Sequence, residues 1–151
     1  MSASAPETLR VGMDLVSVEE VAESVDHFGD RYVTRVFTPH EIETCRSADG
    51  AVAGGGARGR DAYAIDSLAA RFAAKEAVVK VLRPVELQPD WRSIEIHRMT
   101  GGWCEIRLSG RAAELAAEAG IGELAVSLSH DASVAGAFVV GRCTQRERGV
   151  R

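Results

Sequence analysis

Apolar and polar residues follow two different periods along this 151-residue chain, and each period predicts a kind of element. The run Leu9–Val18, LRVGMDLVSV, is mostly apolar and β-branched, and predicts a buried strand interrupted by Gly12 and Asp14. Ser17 then offers an N-cap, with Glu20 three residues on as the second half of a capping box. The helix that follows, VEEVAESVDHF, sets Val18, Val21, Val25 and Phe28 on one face and Glu19, Glu20, Glu23 and Asp26 on the other, and Gly29 ends it. RYVTRVF reads as a short basic segment, and Thr38-Pro39 as a strong helix start.

Residues 47–64 carry five glycines and predict a long flexible surface loop. Asp66 or Ser67 then opens a long helix that stops before Pro84. Residues 93–99 alternate as a strand, Thr100-Gly101-Gly102 signals a hairpin turn, and 103–108 form the return strand. A small amphipathic helix at 109–119 is ended by Gly120, and two strands, 123–129 and 134–140, meet at His130-Asp131. The order β-α-α-α-β-β-α-β-β predicts an α+β fold, a largely antiparallel sheet carrying helices on one face.

Composition narrows the class. At 46% hydrophobic and 26% charged, the chain has the make-up of a single globular domain, with a core of Val, Leu, Ile and Ala because aromatics are only 5%. The domain is expected over 9–141, with 1–8 as a polar leader and 142–151 as a polar tail. A net charge of −4 argues against nucleic acid as the main partner. No run reaches the length of a membrane span, and MSASAPETLR has no signal-peptide core. The three cysteines lack metal spacing, which points to a reduced, cytoplasmic chain.

Three features break their local patterns. Asp14 interrupts an apolar strand. In RFAAKEAVVKVL (71–82), Glu76 and Lys80 stand one turn apart in an apolar sector, where a charge is costly unless paired or metal-bound. His130 ends a strand in LSH. Each has an ordinary reading: a turn former, a helix i,i+4 pair, an exposed histidine. Together, two carboxylates with a lysine and a histidine suit Mg²⁺ and a phosphorylated ligand.

The segments VGMDLVSVEEV, FTPHE, RFAAKEAVVKVL and SLSHDASVAGAFVV, in that order over residues 11–140, resemble the holo-acyl-carrier-protein synthase family of 4′-phosphopantetheinyl transferases. The resemblance implies transfer of phosphopantetheine from coenzyme A to a serine of a fatty-acid or polyketide acyl carrier protein, releasing 3′,5′-ADP. It further implies that Asp14 and Glu76 hold Mg²⁺. Glu76 or a metal-bound water takes the serine proton, and Lys80 holds the pyrophosphate and protonates the leaving phosphate. Lys75, Arg71 and His130 become phosphate contacts. A homotrimer with shared coenzyme A sites is implied too, His130 acting across an interface from Glu76.

Two features depart from the family pattern. The first helix is acidic where the family has a basic residue near Glu20, and Thr100-Gly101-Gly102-Trp103 replaces a Gly-Lys-Pro run. GGGARGR admits two readings: a phosphate contact through Arg58 and Arg60, or an inert insertion. An alternative to the transferase is a family member that binds coenzyme A or a pantetheine arm without transferring it. A purely structural trimer is a third reading.

Overall fold

The computed structural model describes residues 7–47 and 57–144. Residues 1–6, 48–56 and 145–151, which hold most of the expected leader, the centre of the glycine-rich loop and most of the tail, lie outside the described residues. The ordered unit is wider than 9–141, because the first strand, β1, runs Glu7–Ser17 and the last, β5, runs Val134–Thr144. Between them come helices α1 (Val18–Phe28), α2 (Asp30–Val36), α3 (Pro39–Thr44) and α4 (Ile65–Leu82). The hairpin β2 (Ile94–Arg98) and β3 (Cys104–Leu108) follows, then α5 (Gly110–Glu118) and β4 (Ile121–His130).

The α+β prediction holds. β1, β5 and β4 form an antiparallel sheet in that order, with β5 central, and β2–β3 make a separate antiparallel ribbon. α2 is new relative to the sequence reading, which had taken 31–37 as a basic segment without an element. Gly29 at φ 58° reverses the chain after α1, and Val33 and Val36 then bury one face of a two-turn helix. Of the capping box expected at α1, the Glu20 N–H to Ser17 Oγ half forms, at 3.2 Å. The complete box is at α3. There Thr38 Oγ1 accepts from Glu41 N–H, and the Glu41 carboxylate accepts from Thr38 N–H.

α4 is the axis of the molecule. Its N-terminal half packs with Val21, Val25, Val33 and Phe37 of the preceding helices. Its C-terminal half packs with Ile94, Ile96, Ala112 and Val139 from the ribbon, α5 and the sheet. A helix enclosed on so many sides is apolar nearly all round. Inside this core lies one ion pair with both side chains wholly buried: Lys75 Nζ is 2.9 Å from Glu41 Oε2. Lys75 also donates to the Trp91 and Ile94 carbonyls, and Glu41 Oε1 accepts from Ile96 N–H at 2.8 Å.

β1 is not the fully buried strand that its composition predicted. Leu9, Val11, Met13 and Leu15 point away from α4 and are 54–66% exposed, while Arg10, Gly12, Asp14 and Val16 point toward it. Gly12 is required there, since a Cβ would lie 2.1 Å from the Ala77 carbonyl oxygen. The α1 face is likewise smaller than predicted: Val21, Ala22 and Val25 are buried, but Phe28 is 55% exposed and packs edge-on against His27.

Removing one partner of a buried pair strands the other charge. Glu41→Ala is therefore expected to lower unfolding free energy by about 3–5 kcal/mol. Urea unfolding of variant and wild type, at equal m-value, checks this.

Candidate active site

The site begins where α4 meets β1. Because Gly12 has no side chain, the helix backbone rests on the strand, and the neighbouring side chains are brought edge to edge. Lys80 Nζ donates to Asp14 Oδ1 at 2.8 Å and to the Met13 carbonyl at 2.7 Å. Glu76, one turn earlier, sits beside the same Asp14. Partial burial first, and then the Asp14 carboxylate, push its carboxyl above the usual 4.5, while Lys80 opposes the rise. The three residues predicted to act together are thus assembled on one flank of α4.

Glu76 and Lys80 do not lie in the core, as their helical angle had implied. Glu76 is half-buried and the Lys80 side chain is 52% exposed, because the polar slot over Gly12 opens to solvent. The charge actually buried in α4 is Lys75. Its expected role as a phosphate contact is corrected: three donors meet Glu41, Trp91 and Ile94 inside the core, which leaves no hydrogen for a ligand.

Arg71 and His130 lie elsewhere, around a 350 Å³ cavity at the start of α4. Arg71 is buried and donates to the Ser67 carbonyl at 3.2 Å, but its Nε has no partner. His130, the last residue of β4, has Nδ1 3.5 Å from Asp66 Oδ2. Asp66 is ten residues from Glu76 along one helix, about 15 Å at 1.5 Å per residue. The Asp14–Glu76–Lys80 cluster and the cavity lined by Arg71 and His130 therefore lie at different levels of α4. Sequence reading missed Arg98, Trp103 and Ser127, which line the same cavity. The departure at Thr100–Trp103 was the available signal: Trp103 is 59% exposed, and its ring covers Gly101.

Tyr32 also went unread. Burial, then the charge of Glu76, raise its hydroxyl above the usual 10. Of the two arginines proposed for a phosphate-contacting loop, Arg60 is committed to α1, donating to Asp26 and Glu19. Arg58 lines a separate 890 Å³ cleft among α1, α2 and α3. Among the described residues, no helix is long and apolar enough to cross a membrane.

Comparison with known proteins places this arrangement. Residues 10–137 match the model of the 4′-phosphopantetheinyl transferase superfamily. The chain is 38% identical to the holo-[acyl-carrier-protein] synthase of Moorella thermoacetica, over 93% of this chain and 99% of that protein. It is 39% identical to the corresponding protein of Desulforudis audaxviator, over 87% and 91%. Among solved structures, the Helicobacter pylori holo-[acyl-carrier-protein] synthase in complex with coenzyme A aligns with a TM-score of 0.69 at 28% identity. That alignment covers 87% of this chain and 99% of the other.

A carboxyl raised in the fold contributes stability that is complete below its unfolded pKa and is lost as pH rises through its folded value. Glu76→Gln removes that loss. Its melting temperature is expected to exceed that of wild type near pH 7, with the gap closing as pH falls toward 4.5. Thermal melts across pH without added cation test the sign.

Proposed function

The chain belongs to the 4′-phosphopantetheinyl transferase superfamily, and on that premise we propose that it is a holo-acyl-carrier-protein synthase. It moves 4′-phosphopantetheine from coenzyme A to a serine hydroxyl of an acyl carrier protein of fatty-acid or polyketide type. The observation that carries this reading is the meeting of Asp14, Glu76 and Lys80 over Gly12.

The new bond joins the serine Oγ to the pantetheine-bearing phosphorus. The bond that breaks is the P–O link to 3′,5′-ADP, which leaves with the electron pair. Glu76 is suited to take the serine proton, because its raised pKa brings a carboxylate nearer neutral pH. Lys80 is exposed enough to turn from Asp14 to the pyrophosphate and protonate the leaving oxygen. Asp14 and Glu76 fit a divalent cation, since two hard-oxygen donors of like charge stand together. Among the described residues no group of three or more His, Cys, Asp or Glu side chains forms a metal cluster. Two carboxylate ligands from the protein are a number common for Mg²⁺. When bound, Mg²⁺ supplies charge neutralisation on the pyrophosphate.

The cavity at the start of α4, read as the second half of a shared site, supports coenzyme A as donor. Arg71 and Arg98 offer cations to phosphate, His130 offers a ring nitrogen, and Trp103 offers an aromatic face. Its distance from Glu76 favours a site completed by another copy of the chain, as does the outer face of the sheet. Leu9, Val11, Met13 and Leu15 adjoin Val134 and Phe138 there, a contiguous run of exposed apolar side chains of the kind that marks an interaction face. The reading is a homotrimer in a reducing, cytoplasmic setting, in keeping with free Cys45, Cys104 and Cys143.

Intact-mass spectrometry of apo carrier with the enzyme, coenzyme A and Mg²⁺ tests the transfer. One added phosphopantetheine is expected, with loss of at least about a hundredfold in rate for Asp14→Ala or on chelation. Coenzyme A binding without transfer to any carrier would instead favour a binding protein. Light scattering tests assembly: three times the 16.1 kDa chain mass is expected for wild type. The pair Met13→Asp with Phe138→Asp, neighbours across β1 and β5, should give monomers without transfer activity.

A further inference from the structure

One residue of the 3₁₀ turn Gly59–Ala62 makes four hydrogen bonds to α1. Arg60 N–H donates to Asp26 Oδ1 at 2.8 Å and its Nε to Asp26 Oδ2 at 2.6 Å. Its two terminal nitrogens donate to the two Glu19 oxygens at 3.2 and 3.0 Å. Glu19 and Asp26 lie two turns apart, so this guanidinium runs along the exposed face of the helix. Gly59 takes φ +62°, and a Cβ there would lie 2.6 Å from Asp26 Oδ1, so the turn is shaped to seat on that carboxylate. Exposed ion pairs contribute little to folding stability. Stability is thus a weak reason for so complete a clasp.

Position supplies a better one. Glu19 follows Asp14 by three strand residues and the first two of α1, at most about 13 Å. A partner that brings a hydroxyl to Asp14 and Glu76 covers a patch of about 800 Å², a disc of roughly 16 Å radius, so it overlies the base of α1. α2, which follows α1 and packs against it, carries Arg31 and Arg35, both exposed, one turn apart and without an ion-pair partner among the described residues. These two cations attract an acidic segment, whereas the carboxylates of α1 repel one.

Resting on the transferase reading above, we propose that Arg60 is a specificity-determining residue for the carrier protein. By holding Glu19 and Asp26 it offsets one of their two negative charges, lowers their repulsion and admits a carrier whose surface around the modified serine is acidic. The clasp hands the partner to Arg31 and Arg35, leaving Glu20 and Glu23 as the open acidic positions of α1. Arg60 touches neither the carboxylate pair nor the cavity lined by His130, so it acts on docking alone.

Steady-state transfer to an acidic apo carrier, with melting temperatures recorded alongside, provides the test. For Arg60→Ala we expect the carrier KM to rise about tenfold at low ionic strength and by less near 0.15 M salt. The kcat and the KM for coenzyme A should stay at wild-type values. In Arg60→Ala with Glu19→Gln and Asp26→Asn, the carrier KM should return to the wild-type value, because the charges to be masked are gone. Glu19→Gln with Asp26→Asn alone should match wild type or fall below it, and serves if Arg60→Ala is poorly folded. An unchanged carrier KM in Arg60→Ala overturns the proposal, as does a triple variant that stays impaired or a coenzyme A KM that rises in step. A wild-type protein that transfers to no carrier overturns the transferase reading itself, and this proposal with it.

Discussion

The buried contact between Lys75 and Glu41 sets the rotation of α4, and the rest of the molecule follows from that angle. An ammonium removed from water needs all its hydrogens met, and here a carboxylate and two backbone carbonyls meet them. Turning the helix would break all three contacts together. With Lys75 fixed toward α3 and β2, Glu76 falls about 100° round the helix and Lys80 about 140° round, both on the flank that meets β1. The interior pair thereby aims the side chains proposed to carry the chemistry. Its partner comes from a six-residue helix whose capping box orients Glu41 before α4 arrives.

Translation is set by a different contact. At Gly12 the backbones of helix and strand touch without an intervening side chain, so the depth of α4 on the sheet has no soft layer to adjust it. Asp14 is two residues along the same strand and the same face. Its distance to Lys80 is therefore inherited from two rigid elements, as a preorganised site demands. The αL residue Arg83 then ends the helix immediately after this contact is made.

Most of the fold was legible because its signals are local. The Thr38-Pro39 start, the Gly29 and Gly120 stops, the hairpin at Thr100–Gly102 and the alternation of β4 and β5 all need only neighbours in sequence. α2 was not legible, because two buried valines in seven residues carry too little periodicity. The candidate cluster was legible by residue type: Asp14, Glu76 and Lys80 broke apolar runs, and they adjoin in the fold. What failed was the inference of depth. Lys75 sits between alanines and a glutamate, and nothing local shows that it, rather than Glu76, is enclosed; that depends on Glu41, thirty-four positions away. The clasp by Arg60 was equally hidden, since its partners precede it by thirty-four and forty-one residues.

β1 serves two sides at once, with charge and glycine toward the helix and four large apolar residues away from it. Side chains alternate strictly along a strand, so a shift of one residue in its pairing with β5 exchanges the two sets. Asp14 would then face outward, and Val11 or Met13 would fall against Ala77 where only a glycine fits. The same slip would put Arg10 and Asp14 into the apolar outer surface. A misregistered molecule therefore has no half-working form: it loses its chemistry and its outer surface in one step. The strand acts as its own proofreader, because the error that displaces Asp14 from α4 also breaks up the apolar outer face.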